Sequence, residues 1–208
     1  MNGISFREQF APTVDLTFNF HPDPFAFGDS AGDFQHIFEM SRGFVAADCF
    51  DDRQRAANRQ RLRYIAVCSP EKVNAILPLT RYAALVAPKR NPEAGVTAPT
   101  AFLAVTATEK PSPHLYADAG AAIQSLEFAA WERGIGCCWL GSFDQTRSAE
   151  ILEIPEPERL LYLVALGYPA EVPCQEDIPA DGDPKYYLDA QDTLHVPKYT
   201  VDALLSWQ

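Results

Sequence analysis

No long apolar run occurs in this chain. Nothing in its 208 residues approaches the roughly 20 consecutive apolar positions that a membrane-spanning helix needs, so no membrane partner is expected. Basic residues are also scarce. Seventeen Lys and Arg stand against 28 Asp and Glu, and the net charge of -11 repels nucleic acid and anionic lipid alike. The five cysteines, Cys49, Cys68, Cys137, Cys138 and Cys174, form an odd set without a C-x-x-C pair, which argues against a disulfide framework and for buried, reduced thiols. His21, His36, His114 and His195 are far apart and none lies at helical i, i+4 spacing with another ligand type, so no metal site is expected short of a tertiary coincidence. There is no G-x-G-x-x-G motif, no repeat, no low-complexity tract and no Pro/Gly/Ser linker. A single domain over 1–208 follows. The opening MNGISFREQF lacks the charged-then-apolar layout of a secretory signal, and a cytoplasmic location is expected.

What is present reads as an α+β domain. Residues 1–32, rich in Phe, Pro and Asp, show no sustained period and read as an irregular N-terminal extension. Phe34, Ile37, Phe38, Ser41 and Val45 then recur at three- and four-residue steps, predicting an amphipathic helix from Asp33 to about Ala47. Leu62 to Cys68 alternates like a half-buried strand. Ser69-Pro70-Glu71 opens the next helix, with Ser as cap and Pro in the first turn, and Ala101 to Thr108 forms a further strand. The longest helix is expected from Tyr116 to Arg133. Ala117, Ala119, Gly120, Ala121 and Ala122 make its first half small enough for close approach by another backbone, at a subunit interface or in the core of a monomer. Gly134 and Gly136 end it. Strands at Cys137 to Phe143 and Leu160 to Leu166 bracket a helix near Thr146 to Leu152. A hairpin from Tyr186 to Val196 turns at Ala190-Gln191-Asp192, and a last short helix is capped by Thr200.

One segment concentrates positive charge. Arg53, Arg55, Arg59, Arg61 and Arg63 occupy odd positions only, so on extended chain they share a side. The strip suits an anion such as a cofactor phosphate, or else a solvated face paired with Asp48, Asp51 and Asp52.

The order of elements from Asp118 to Pro169 carries a resemblance. An alanine-rich helix leads into the apolar strand CCWLGSF with Trp139-Leu140-Gly141 at its end, then a small helix, an Ile-Pro, and a second apolar strand closing on Leu166-Gly167-Tyr168-Pro169. With Ala57-Asn58-Arg59-Gln60 feeding the strand LRYIAV, and the tail from Lys185-Tyr186-Tyr187 to Lys198, this resembles the nitroreductase family of FMN-dependent NAD(P)H oxidoreductases. The resemblance implies a nitroreductase-like α+β fold, with a central, mainly antiparallel sheet of about four or five strands flanked by helices. It implies a homodimer with the flavin at the subunit interface and a C-terminal extension exchanged between subunits.

The cofactor-binding positions it implies are Arg55, Ala56, Asn58, Gln60, Leu140, Gly141 and Lys198. An amide such as that of Asn58 donates and accepts at once against the flavin's mixed polar edge, and Gly141 lets backbone approach the ring. No catalytic side chain is called for, because the chemistry belongs to the cofactor. Hydride would pass from NAD(P)H through flavin N5 to a nitroaromatic, quinone or similar small-molecule acceptor in ping-pong fashion. Trp139 and Phe143 are expected mainly in core packing. The family's N-terminal Arg-Arg-Ser is missing, Gln54-Arg55 stands for its Pro-Ser, and Tyr199 for the tail Arg. A phosphate needs cations or several donors, supplied here by Arg55, Arg61 or Arg7. The alternative is a non-catalytic binding protein of the same fold with a degraded flavin site.

Overall fold

The computed structural model of the chain describes residues 59–82 and 92–208. The helix expected over 33–47, and with it Arg7, Arg53, Arg55, Ala56 and Asn58, lies outside the described residues.

Four strands form the central sheet: β1 (Leu62–Val67), β2 (Ala101–Ala107), β3 (Gly136–Leu140) and β4 (Arg159–Gly167), in the order β1-β2-β4-β3 and antiparallel throughout. All seven residues of β2, AFLAVTA, are buried, as a strand covered on both faces requires. Period-two alternation divides them. Leu103 and Val105 enter one apolar cluster, Phe102 and Ala104 the other. The ladder between β2 and β4 is offset at Val105/Thr106, where Leu161 is the extra residue of a bulge, and buried Thr106 donates its hydroxyl to Glu158 at 2.8 Å.

One face of the sheet carries the long helix α2 (Pro113–Glu132), which buries Leu115, Ala119, Ile123, Leu126 and Ala130 against it. The other carries α1 (Pro70–Ile76), α3 (Gln145–Ile151) and part of a second sheet, contributing Val73, Ile76, Leu152, Leu194 and Val196. That second sheet has the order β5-β7-β6, with β5 (Cys174–Ile178) parallel and β6 (Tyr187–Leu188) antiparallel to β7 (Leu194–Tyr199). The short helix α4 (Val201–Leu204) follows, behind Thr200 as expected but without a side-chain capping bond.

Local chemistry sets the helix ends. Ser69, Ser112 and Asp144 each accept a hydrogen bond from a backbone N–H of the first turn of α1, α2 and α3. Pro70 and Pro113 occupy first-turn positions where no N–H is needed. At the far end of α2, Gly134 takes φ +70°, its N–H donates to the Trp131 carbonyl, and Ile135 N–H to that of Ala130. This is a Schellman closure, and the left-handed residue it needs is the glycine expected there. The helix starts three residues earlier than Tyr116, because Ser112-Pro113 is itself a cap followed by a first-turn proline.

Candidate functional site

Antiparallel order places the starts of β1 and β4 and the ends of β2 and β3 at one end of the sheet. Gln60 therefore precedes β1 at one edge, and Gly141 follows β3 at the other, three inter-strand spacings or about 14 Å across the sheet and roughly four residues further along the strand direction. Both residues are exposed. Gln60 has φ +48°, an uncommon backbone for a residue with a side chain. The Arg63 guanidinium stabilises that turn by donating to the carbonyls of Gln60 and Leu62, both at 2.8 Å.

Gly141 ends β3 beside an aromatic cluster. A Cβ added to it would stand 3.8 Å from the Tyr162 ring, in ordinary contact, and among the described residues would meet nothing else within 4 Å. The backbone here is open to a flat partner. Trp139 packs edge-to-face on Tyr162, with centroids 5.1 Å apart and planes at 88°, and Tyr116 reaches Tyr162 from α2 at 6.1 Å. Gly120 makes room for the indole: a Cβ there would sit 3.3 Å from Trp139 Cη2. Trp139 is 42% exposed, so it is not the core residue expected. Its strand is an edge and α2 is too small opposite it to cover the ring. Phe143 is half-buried against the core as expected, and its strand stops at Leu140, leaving residue 143 a single bridge to Thr80. Leu140 itself is buried in the cluster opposite α2, so it fixes the end of β3 rather than facing outward. Burial raises the Tyr162 hydroxyl above its ordinary pKa, and Tyr116 adds to the shift.

Among the described residues the arginine strip is not one face: past the left-handed backbone at Gln60, Arg61 is buried, whereas Arg59 and Arg63 are exposed. Arg61 donates to the Asp118 carboxylate of α2 at 2.7 Å and lies 3.5 Å from Glu109. Its hydrogen bond to Asp118 holds the guanidinium pKa above its ordinary value. A cation already matched by two carboxylates has little charge left for a phosphate. Among the described residues its partners are Asp118 and Glu109; Asp48, Asp51 and Asp52 lie outside the described residues.

Lys198 is half-buried on β7, in register with Asp177 of β5. The same sheet carries a polar cluster on its outer side. His195 stacks on Tyr187, with centroids 4.7 Å apart and planes at 9°, and its two ring nitrogens face Glu176 at 2.7 Å and Asp189 at 3.2 Å. Hydrogen bonds to Asp189 and Glu176 hold the imidazole above its usual pKa. Its bond to His195, with one from Tyr187, holds Glu176 low; the Thr193 N–H, then His195, do the same for Asp189. Cys174, two residues before Glu176, brings its thiol into the group. Sequence spacing did not reveal this cluster. The only local signal was the alternation Cys174-x-Glu176, which puts both residues on one side of a strand. Among the described cysteines all are free, and Cys137 and Cys138 are buried as expected. Burial, with Glu127 and Cys138 adding, pushes the Cys137 thiol well up. Cys174 departs from the expectation and is exposed, because β5 is an edge strand.

Solved structures share this fold. A nitroreductase family protein from Clostridium novyi NT superposes with a TM-score of 0.55 at 19% identity, over 76% of this chain and 82% of that one. An FMN-dependent nitroreductase from Clostridium difficile R20291 gives 0.54 at 14%, over 77% and 86%. Nitroreductase A from Vibrio parahaemolyticus gives 0.55 at 17%, over 77% and 66%. At such identities the superpositions define the fold, which is nitroreductase-like. The sequence model of the nitroreductase family matches residues 55–168, more than half of the chain, and the chain belongs to that family. A comparison with curated protein sequences gives no match.

Proposed function

We propose that the protein is an FMN-dependent oxidoreductase that takes hydride from NAD(P)H and reduces a nitroaromatic, quinone or similar small acceptor, working as a homodimer. Family membership over residues 55–168 supports the flavin and the oxidoreductase class. The observation that carries the reading to this chain is the exposed, side-chain-free backbone of Gly141 beside Trp139 and Tyr162, at the same sheet end as Gln60. Flat aromatic surface and an unobstructed backbone suit a tricyclic ring system.

Bound there, FMN would supply two-electron chemistry at N5. The chain's part is to hold and orient it. Gln60 and Asn58 would meet the polar edge of the ring, Ala56 and Gly141 would allow close approach, and Arg55 and Lys198 would face the phosphate. Leu140 would act through the position of Gly141. The Trp139 indole would limit water at the ring and offer a stacking edge to a planar acceptor.

The dimer has its own support. The outward side of α2 carries Ala117, Ala121, Phe128 and Trp131, with Phe128 48% and Trp131 47% exposed. Exposed aromatic rings on a helix whose opposite side is already packed suit contact with a second chain. Exchange of the C-terminal segment between subunits belongs to the same reading.

A second reading rests on two observations. Arg61 is neutralised by Asp118, and the Arg-Arg-Ser element is absent, which favours a binding protein of this fold without flavin. Steady-state kinetics separate the two. With FMN present, NADH or NADPH oxidation that requires a quinone, with parallel double-reciprocal lines, is expected of the oxidoreductase; no acceptor-dependent oxidation with either nucleotide contradicts it.

A further inference from the structure

Cys174 and His195 are paired residues of adjacent parallel strands, and Glu176 lies two positions along β5 on the same side. The sheet thus converges a sulfur, a carboxylate oxygen and an imidazole nitrogen within 4.8 Å of one another. A hydrogen-bonded network accounts for only part of this group. His195 between Glu176 and Asp189 makes a complete ion-paired unit, in which the thiol has no role; its one hydrogen bond is a weak one, 4.0 Å to the Gln175 carbonyl.

We propose that Cys174, Glu176 and His195 form a site for a divalent late-transition metal, zinc above all, which clips β5 to β7. The donor set selects the ion. A thiolate with an imidazole and a carboxylate suits zinc, whereas magnesium and calcium take oxygen ligands only. Charge agrees as well, since a thiolate and a carboxylate bring two negative charges to a two-plus ion. Donors on one tetrahedral zinc stand roughly 3.3–3.7 Å apart, given bonds of about 2.0–2.3 Å. Small side-chain rotations reach this arrangement, opening the 2.7 Å contact between His195 Nδ1 and Glu176 and drawing the thiol inward. Nδ1 is the ligand atom. The thiol proton and the Nδ1 proton of the ion-paired imidazole both leave to solvent as the Cys174–metal and His195–metal bonds form, and no electron is transferred.

The supporting groups are already in place. His195 Nε2 faces Asp189 Oδ2 at 3.2 Å, the carboxylate partner that fixes a metal-bound histidine's tautomer. Asp189 is held in turn, its Oδ1 accepting from the N–H groups of Gln191 at 2.9 Å and Thr193 at 2.8 Å. The Tyr187 hydroxyl donates to Glu176, and its ring stacks on the imidazole. Three protein ligands leave the fourth zinc position for water.

Full-length protein, stripped with EDTA and desalted under reductant, is titrated with CoCl2 and then ZnCl2, and read as difference spectra against the starting protein. Expected is a saturable thiolate-to-cobalt charge-transfer band at one ion per chain, bleached by zinc. Cys174→Ser, at an exposed site that does not endanger folding, removes the band. Cys68→Ser keeps it. Asp189→Asn weakens zinc binding by about tenfold to a hundredfold while retaining the band. Zinc also slows alkylation of Cys174 by iodoacetamide. No saturable band in the unaltered chain, or the same band in Cys174→Ser, overturns the proposal.

Discussion

Gly141 is the residue on which the flavin reading turns most sharply. Among the described residues a Cβ at its exposed backbone meets only the Tyr162 ring, so a branched side chain is accommodated there yet fills the space in front of β3. Gly141→Val is expected to keep the thermal unfolding temperature close to that of the parent and to weaken FMN binding at least tenfold, about 1.4 kcal/mol. A variant with full FMN affinity refutes the contact. Arg61 and Asp118 make a different argument. Both are buried, so Asp118→Ala leaves a guanidinium without its main partner and lowers the unfolding temperature. Arg61→Met with Asp118→Leu removes both charges and is expected to recover most of that loss; equal loss in the two variants would show that the pair matters through packing alone. The sequence showed Arg61 to be one of a charged series but not its direction, because Gln60's left-handed backbone, absent from any periodicity rule, turns it inward.

At the scale of elements, legibility followed locality. The strand Leu62–Val67, the helix opened by Ser69-Pro70, the end of α2 at Gly134 and the hairpin turn after Asp189 all rest on residues near in sequence, and each was readable. β5 was not. Its residues, CQEDI, are mostly polar, and its pairing with β7 is parallel and some 20 residues away, so neither hydrophobic alternation nor a turn announces it. The zinc ligands were hidden for the same reason, since β5 and β7 must pair before Cys174 and His195 meet. α2 bears the second structural prediction. Phe128→Glu with Trp131→Glu places two charges on its exposed apolar side, and light scattering should show a particle of twice 23.0 kDa becoming one of 23.0 kDa. Dimers that persist in this variant would remove α2 from the interface.

For the molecule as a whole, the sequence carried about four core strands and their flanking helices, because apolar runs and caps specify them locally, while the mainly antiparallel pairing was an expectation of the family resemblance. The candidate site was legible only in pieces. Gln60 and Gly141 do reach one end of the sheet, whereas Leu140 is core, Lys198 sits on the second sheet, and Arg55, Ala56 and Asn58 lie outside the described residues. On the proposed function their union would depend on a ligand and a second subunit, which no single-chain periodicity encodes. Among the described residues, no helix is long and apolar enough to cross a membrane. The central claim is that this fold holds a flavin, and its most direct test is the absorbance spectrum of the purified protein after incubation with excess FMN and desalting. A retained flavin band near one FMN per subunit is the predicted result; a colourless protein contradicts the account.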